Sequence, residues 1–291
     1  MLNCRMSGAG RLIRASLLVL ALAWNAYAQE QYPPQDPPRT PQTSLDPRNS
    51  QATIAIPSDA LVAVPNRPTF ATTAETVQRG VLEAEYGLEA ADAHQNINGL
   101  VKFGIFGNLE LRVANNPLQR NSGFTGTGDS GAGFKYKFFG QANRRPTFSL
   151  LYTAALPTAP ASRGIGALGH SVQLLASKDF GKHHFDVNEG VQFVGRPGAD
   201  GFDRNYFSSL SYAYPLTTKW GVTGELAGFS KTNPATPATM VVLEAVTYSP
   251  TPRLVFDLGG YFAVYGNLPR FTFAAGLTYA IADLYRSHRH Q

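Results

Sequence analysis

Cysteine is almost absent from this 291-residue sequence: Cys4, the single one, lies in a basic and apolar N-terminal leader. Without that leader the chain has no disulfide, no thiolate metal ligand and no cysteine nucleophile. Charge is also sparse, at 15% Asp, Glu, Lys and Arg, and there is no basic run. The leader carries three of the 25 Lys and Arg and none of the 20 Asp and Glu, which leaves 22 basic against 20 acidic residues. A chain so close to neutral has no electrostatic basis for binding nucleic acid. Beyond the leader, no stretch approaches the roughly 18 uninterrupted apolar residues of a membrane helix. That excludes helices as the route across a membrane, but not a closed barrel.

The N-terminus carries Arg5, Arg11 and Arg14, then an apolar core from Leu12 to Trp24, then Ala26-Tyr27-Ala28 before Gln29. These are the parts of a signal peptide spanning residues 1–28, with Met6 as an alternative start. Residues 29–65 contain eight prolines, including "PPQDPP" at 33–38. Such a segment buries too little apolar surface to offset its ordering entropy, so a disordered linker is expected there. A different regime, 66–285, begins near Asn66-Arg67-Pro68, and a polar tail closes the chain at 286–291.

"RGVLEAEYGLEA" at 79–90 sorts Leu82, Ala84, Tyr86 and Leu88 from Glu83, Glu85, Gly87 and Glu89 at a period of two, the spacing of a strand. Eleven further segments alternate similarly: 97–105, 108–115, 129–139, 146–156, 168–180, 183–195, 205–214, 219–229, 238–248, 253–264 and 270–281. Most have the ~9–11 residues of a tilted membrane strand. Short links (106–107, 140–145, 181–182, 215–218, 249–252) alternate with longer ones (91–96, 116–128, 157–167, 196–204, 230–237, 265–269). One rim of tight turns and one of longer loops predicts an all-β fold: an up-and-down antiparallel transmembrane β-barrel of twelve strands, both ends on the periplasmic side. Phe138, Phe180, Phe185, Tyr214, Trp220, Tyr248 and Tyr279 gather beside the short turns, as an interfacial aromatic girdle would. Glu189 is the misfit, because it shares parity with Phe185, Val187, Val191 and Phe193 and would point at lipid unless a bulge re-aims it.

Motifs for catalysis are weak. "GTGDSG" at 126–131 matches a dinucleotide-loop pattern but runs into a strand with paired lysines, where a helix would be required. His170 and Ser171 are adjacent on a strand and point to opposite faces, which is unfavourable for a hydrolase pair. His183-His184 falls in a tight turn, and His288 and His290 lie in the tail. No catalytic residue, cofactor or metal site is expected, and the chain is read as a non-enzyme. The polar residues that stand out are collective. Glu83, Glu85, Glu89, Lys102, Glu110, Arg112, Lys135, Lys137, Asp186, Glu225, Glu244 and Asp257 are expected to line the lumen, and Arg67 and Pro68 to lie at the periplasmic mouth. Such a set either borders a pathway or forms a self-neutralising network that fills the barrel. The segment before Gln78 is placed to plug it in part.

Several pieces in order resemble one family: "NRPTFATTAETVQRGVLEAEYG" (66–87), "GNLELRV" (107–113), "GDSGAGFKYKF" (128–138), "LPT" (156–158), "SKDFG" (177–181), "YPLTTKWGVTGEL" (214–226) and "GLTYAI" (276–281). The chain resembles the outer-membrane transporter family named after the meta-cleavage pathway of phenol degradation. The resemblance covers roughly residues 66–281. It implies a bacterial outer-membrane barrel, with outer-membrane lipid around it, and passive passage of small hydrophobic or aromatic solutes. "GLTYAI" also has the form of the terminal signal read by barrel-assembly machinery, although a polar tail follows it. The alternative is a structural or lipid-modifying barrel that transports nothing.

Overall fold

Side chains that alternate with a period of two satisfy two solvents at once, lipid outside and polar groups inside. In a computed structural model that describes residues 60–286, apart from 93, 122–123, 161–163 and 267, that alternation becomes a closed antiparallel sheet. The leader, the linker up to residue 59 and the last five residues lie outside the described residues.

The strands are β1 (Val81–Ala91), β2 (His94–Phe106), β3 (Leu109–Asn121), β4 (Phe124–Gly126), β5 (Ser130–Phe139), β6 (Thr147–Leu156), β7 (Gly169–Phe180), β8 (His183–Gly195), β9 (Phe202–Pro215), β10 (Trp220–Phe229), β11 (Thr239–Thr251), β12 (Leu254–Tyr265) and β13 (Phe271–Asp283). Twelve of them encircle the barrel. The ring is closed by β1, which pairs with both β2 and β13. The short β4 only extends the top of β3, through Gln119↔Gly126 and its neighbours. Closure leaves no sheet edge, which is what permits backbone to cross hydrocarbon.

The outer face is the apolar one. Tyr86, Leu88, Leu111, Val113, Leu210, Leu226, Leu258, Leu277 and Ile281 are all exposed. Around the short-turn rim Phe180 packs on Phe185 and Trp220 on Tyr248, and Phe138 packs against both Tyr136 and Phe148, so the expected girdle is present. The sequence underestimates β2 and β3, which run on to His94 and Asn121. Those extensions, "HQN" and "NPLQRN", are polar on both faces. Above the bilayer both faces meet water, so the strand signal disappears while backbone pairing continues.

Candidate functional site

The lumen is filled in part by residues 60–80 of the chain itself. Residues 60–80 enter at the short-turn rim, where the Ala63 N–H donates to the Pro252 carbonyl at 2.9 Å. They climb to Phe70, turn, and descend until the Thr76 hydroxyl donates to the Gly107 carbonyl at 3.1 Å. Glycine 80 then donates its N–H to the Gly104 carbonyl at 2.7 Å, and β1 begins.

Wall side chains hold this plug by its backbone. Val64 N–H donates to Glu83 at 2.8 Å, and Asn66 N–H and Nδ2 donate to Glu85 at 3.1 and 2.9 Å. Both amides of Phe70 and Ala71 reach Glu225, at 2.7 and 2.6 Å. On the descending arm, Thr72 N–H donates to Asn188, Ala74 N–H to the Ser177 hydroxyl and Val77 N–H to Glu110, at 2.5, 2.7 and 2.9 Å. Plug carbonyls are met by cations. Lys102 Nζ donates to Val64 O at 2.5 Å, and Lys135 Nζ donates to Thr73 O and Glu75 O at 3.0 and 2.6 Å. A segment without regular secondary structure must have its backbone groups satisfied somewhere, and here the barrel's charged side chains do it.

Those charges also neutralise one another. Lys102 faces Glu83 at 2.5 Å, its register partner across β1 and β2, and touches Glu85 as well. Glu110 lies 3.4 Å from Arg112 and 3.8 Å from Lys135, and Lys137 pairs with Glu75 of the plug at 2.8 Å. Asp186 accepts from Ser177 at 2.5 Å and is 3.1 Å from His184, whose other ring nitrogen is 2.6 Å from Asp179. Lys102, Lys135, Glu83 and Glu110 have no solvent exposure, so each depends on these partners.

Apolar contacts add to the hold. Ala63 packs with Val81, Val255 and Ala280, and Ala74 with Leu151 and Leu175. Phe70 packs against a cluster of Phe207, Ala227 and Val241, edge-on to Phe229 and Tyr261 at ring separations of 5.7 and 5.1 Å. Inward Leu151, Leu175, Phe207 and Val241 are unexpected in a polar lumen, and the plug is the reason they are there.

Most of the expected lining residues do face inward, Glu89 among them, near the long-loop rim. Two placements are corrected. Glu244 is exposed on the outer face between Val242 and Val246 and opposite Gly224 and Gly260. Its neighbours on both faces, Val241 to Leu243 and Ala245 to Val246, are apolar, so the alternation marks no inside there and charge misidentified it. Arg67 is not at the mouth. It lies halfway up the lumen over Gly87 and Gly276, which are paired with each other, 3.5 Å from Asp257. Pro68 follows it within the plug. Glu189 does face outward, without a bulge in β8, and accepts from the Ser208 hydroxyl at 2.7 Å. His170 is on the outer face bonded to the Tyr152 hydroxyl at 2.8 Å, across the sheet from Ser171.

Above the plug, on the long-loop side, is a cavity of about 700 Å³. Asn66, Arg67, Glu85, Asn98, Arg112 and Gln119 are among its lining residues. The loop after β6 closes over one side of it, because Asp129 accepts from the Ala159 and Ile165 amides at 2.9 and 2.6 Å. The Gly-rich 126–131 stretch therefore serves as an anchor for a neighbouring loop.

No family model and no curated protein sequence matches the chain. Solved structures do match. An outer membrane channel from Pseudomonas putida F1 superposes with a TM-score of 0.57 at 11% identity, over 75% of this chain and 100% of that one. The NanC porin gives 0.53 at 11% identity over 69% and 100%, and the KdgM porin 0.52 at 8% over 69% and 99%. At such identities the likeness establishes the fold, that of an outer-membrane β-barrel.

Proposed function

We propose that this protein is an outer-membrane channel for the passive passage of small solutes, held shut by residues 60–80. The observation that carries the proposal is the pairing of an open polar vestibule with a plug bound chiefly through backbone hydrogen bonds. Those bonds can be exchanged for bonds to water, whereas a fully apolar core could not be hydrated at comparable cost. The porin and channel names of the superposed structures agree with such a role. Membership of the phenol-degradation transporter family, and cargo that is hydrophobic or aromatic in its body, rest on the sequence resemblance. Export by the leader 1–28 and insertion by barrel-assembly machinery acting on Gly276–Ile281 complete the proposal.

A lipid-modifying barrel gains no support, since His170 is bonded to Tyr152 and has no serine or aspartate partner among the described residues. The channel is tested by planar-bilayer conductance of the whole protein and of a variant lacking residues 60–77. The intact chain is expected to conduct little and the shortened one several-fold more. If the shortened barrel is folded yet passes neither ions nor solute, the protein is not a channel.

A further inference from the structure

Resting on the channel proposal above, we infer that the vestibule is a recognition site for small organic anions, with Arg67 and Arg112 as the residues that bind a carboxylate. Both guanidiniums line the same cavity of about 700 Å³. Each has five N–H donors to satisfy, and among the described residues each has a single ionic partner, at a long distance. Arg67 has Asp257 at 3.5 Å, and Arg112 has Glu110 at 3.4 Å. Arg112 is 8% exposed, and its buried Nη1 and the buried Nε and Nη2 of Arg67 have no hydrogen-bond acceptor among the described residues. Glu110 is itself shared with Lys135 and the Val77 amide.

The acidic groups of the cavity are, in contrast, already occupied. Glu85 accepts from Asn66 and Lys102, and Asp129 from the Ala159 and Ile165 amides. Of the buried side-chain atoms of the lining residues that lack a hydrogen-bond partner among the described residues, three are guanidinium nitrogens and one is an acceptor, Asn66 Oδ1, so the remaining capacity of the walls is weighted toward donors. A planar guanidinium matches a carboxylate in two parallel hydrogen bonds, and it is worth most where water is scarce. Arg67 is also held in place, lying against Gly87 and Gly276, where any β-carbon would collide with it. A solute that bears an apolar or aromatic body and one carboxylate satisfies both the arginines and the cargo implied by the resemblance.

The test is calorimetric binding to the intact protein in detergent micelles, using benzoate, benzyl alcohol and benzylamine, which share a ring and differ in charge. Benzoate is expected to bind at least about tenfold more tightly than the other two, the worth of roughly one charge-assisted hydrogen bond. Arg112→Gln and Arg67→Gln should each weaken benzoate about tenfold, and Arg112→Lys less, since it keeps the charge and loses the fork. Arg112→Lys also serves if the glutamine variant does not fold. No benzoate binding, equal binding of the three solutes, or affinity indifferent to these substitutions overturns the site. Binding is read without flux, so the two proposals fail separately: conductance without benzoate preference removes the anion site alone. Arginine-dependent benzoate binding to a barrel that never conducts removes only the channel.

Discussion

The Arg67 guanidinium lies over Gly87, in the space that a β-carbon on that glycine would need. The opposing strand makes the same concession, since a β-carbon on Gly276 would stand 2.5 Å from Arg67 Nε. Gly87 and Gly276 are register partners, and Gly276 is in turn opposite Asp257. Three strands therefore shape a flat seat with a carboxylate at its edge, and the plug places one guanidinium on it.

Gly87→Ala tests the seat. The added methyl must displace the Arg67 guanidinium, the far end of a flexible side chain, and so separate it from Asp257, at a cost of about 1–3 kcal/mol for a buried carboxylate left without its partner. A lower unfolding midpoint in micelles and a higher bilayer conductance are expected together. Wild-type values for both would show that the arginine does not need the glycine.

Glu225→Leu removes the acceptor shared by the Phe70 and Ala71 amides. Leaving two buried N–H groups unpaired costs about 1–3 kcal/mol each, enough to free the top of the plug while the barrel stays closed. With Thr69→Cys as a reporter, maleimide labelling should speed up in the Glu225→Leu background. An unchanged labelling rate would mean that the Phe70 cluster alone holds the turn.

Asp129→Ala should loosen one loop and nothing else. Its carboxylate is the acceptor for both Ala159 and Ile165. Amide exchange at those two positions is expected to accelerate about tenfold or more, the worth of a charge-assisted hydrogen bond, with the strand amides of β5 and β6 unaffected. Protection that persists at Ala159 and Ile165 would count against the anchor.

Glu244→Leu is expected to stabilise the barrel. The carboxylate faces lipid from the middle of β11 with no hydrogen-bond or ionic partner among the described residues. Replacing it should gain about 1–2 kcal/mol in unfolding from lipid vesicles, less than the cost known for a basic residue at that depth. A loss of stability would reveal a partner for Glu244 within the membrane.

How much of this was readable beforehand varies with the contact. Glu83, Glu85 and Lys102 are legible as an inward set because their strand neighbours Leu82, Ala84 and Val101 are apolar, and register then brings Glu83 opposite Lys102. Leu151 and Leu175 carry no such signal. They point inward against Ala74 of the plug, and along β6 and β7 they are indistinguishable from the lipid-facing leucines at 150 and 174.

The sequence by itself determined the staves: their period, their count, the alternation of tight turns with longer loops, and the aromatic girdle. Each follows from which solvent a side chain meets, and that choice is written residue by residue. The sequence also pointed to the segment before Gln78 as a partial plug, but only the tertiary structure decided its path through the lumen and its partners there, that Arg67 sits at mid-height and that Glu244 faces out. The plug is held mainly through its own amides and carbonyls, groups that every residue carries, so its binding partners leave little trace in the order of its side chains.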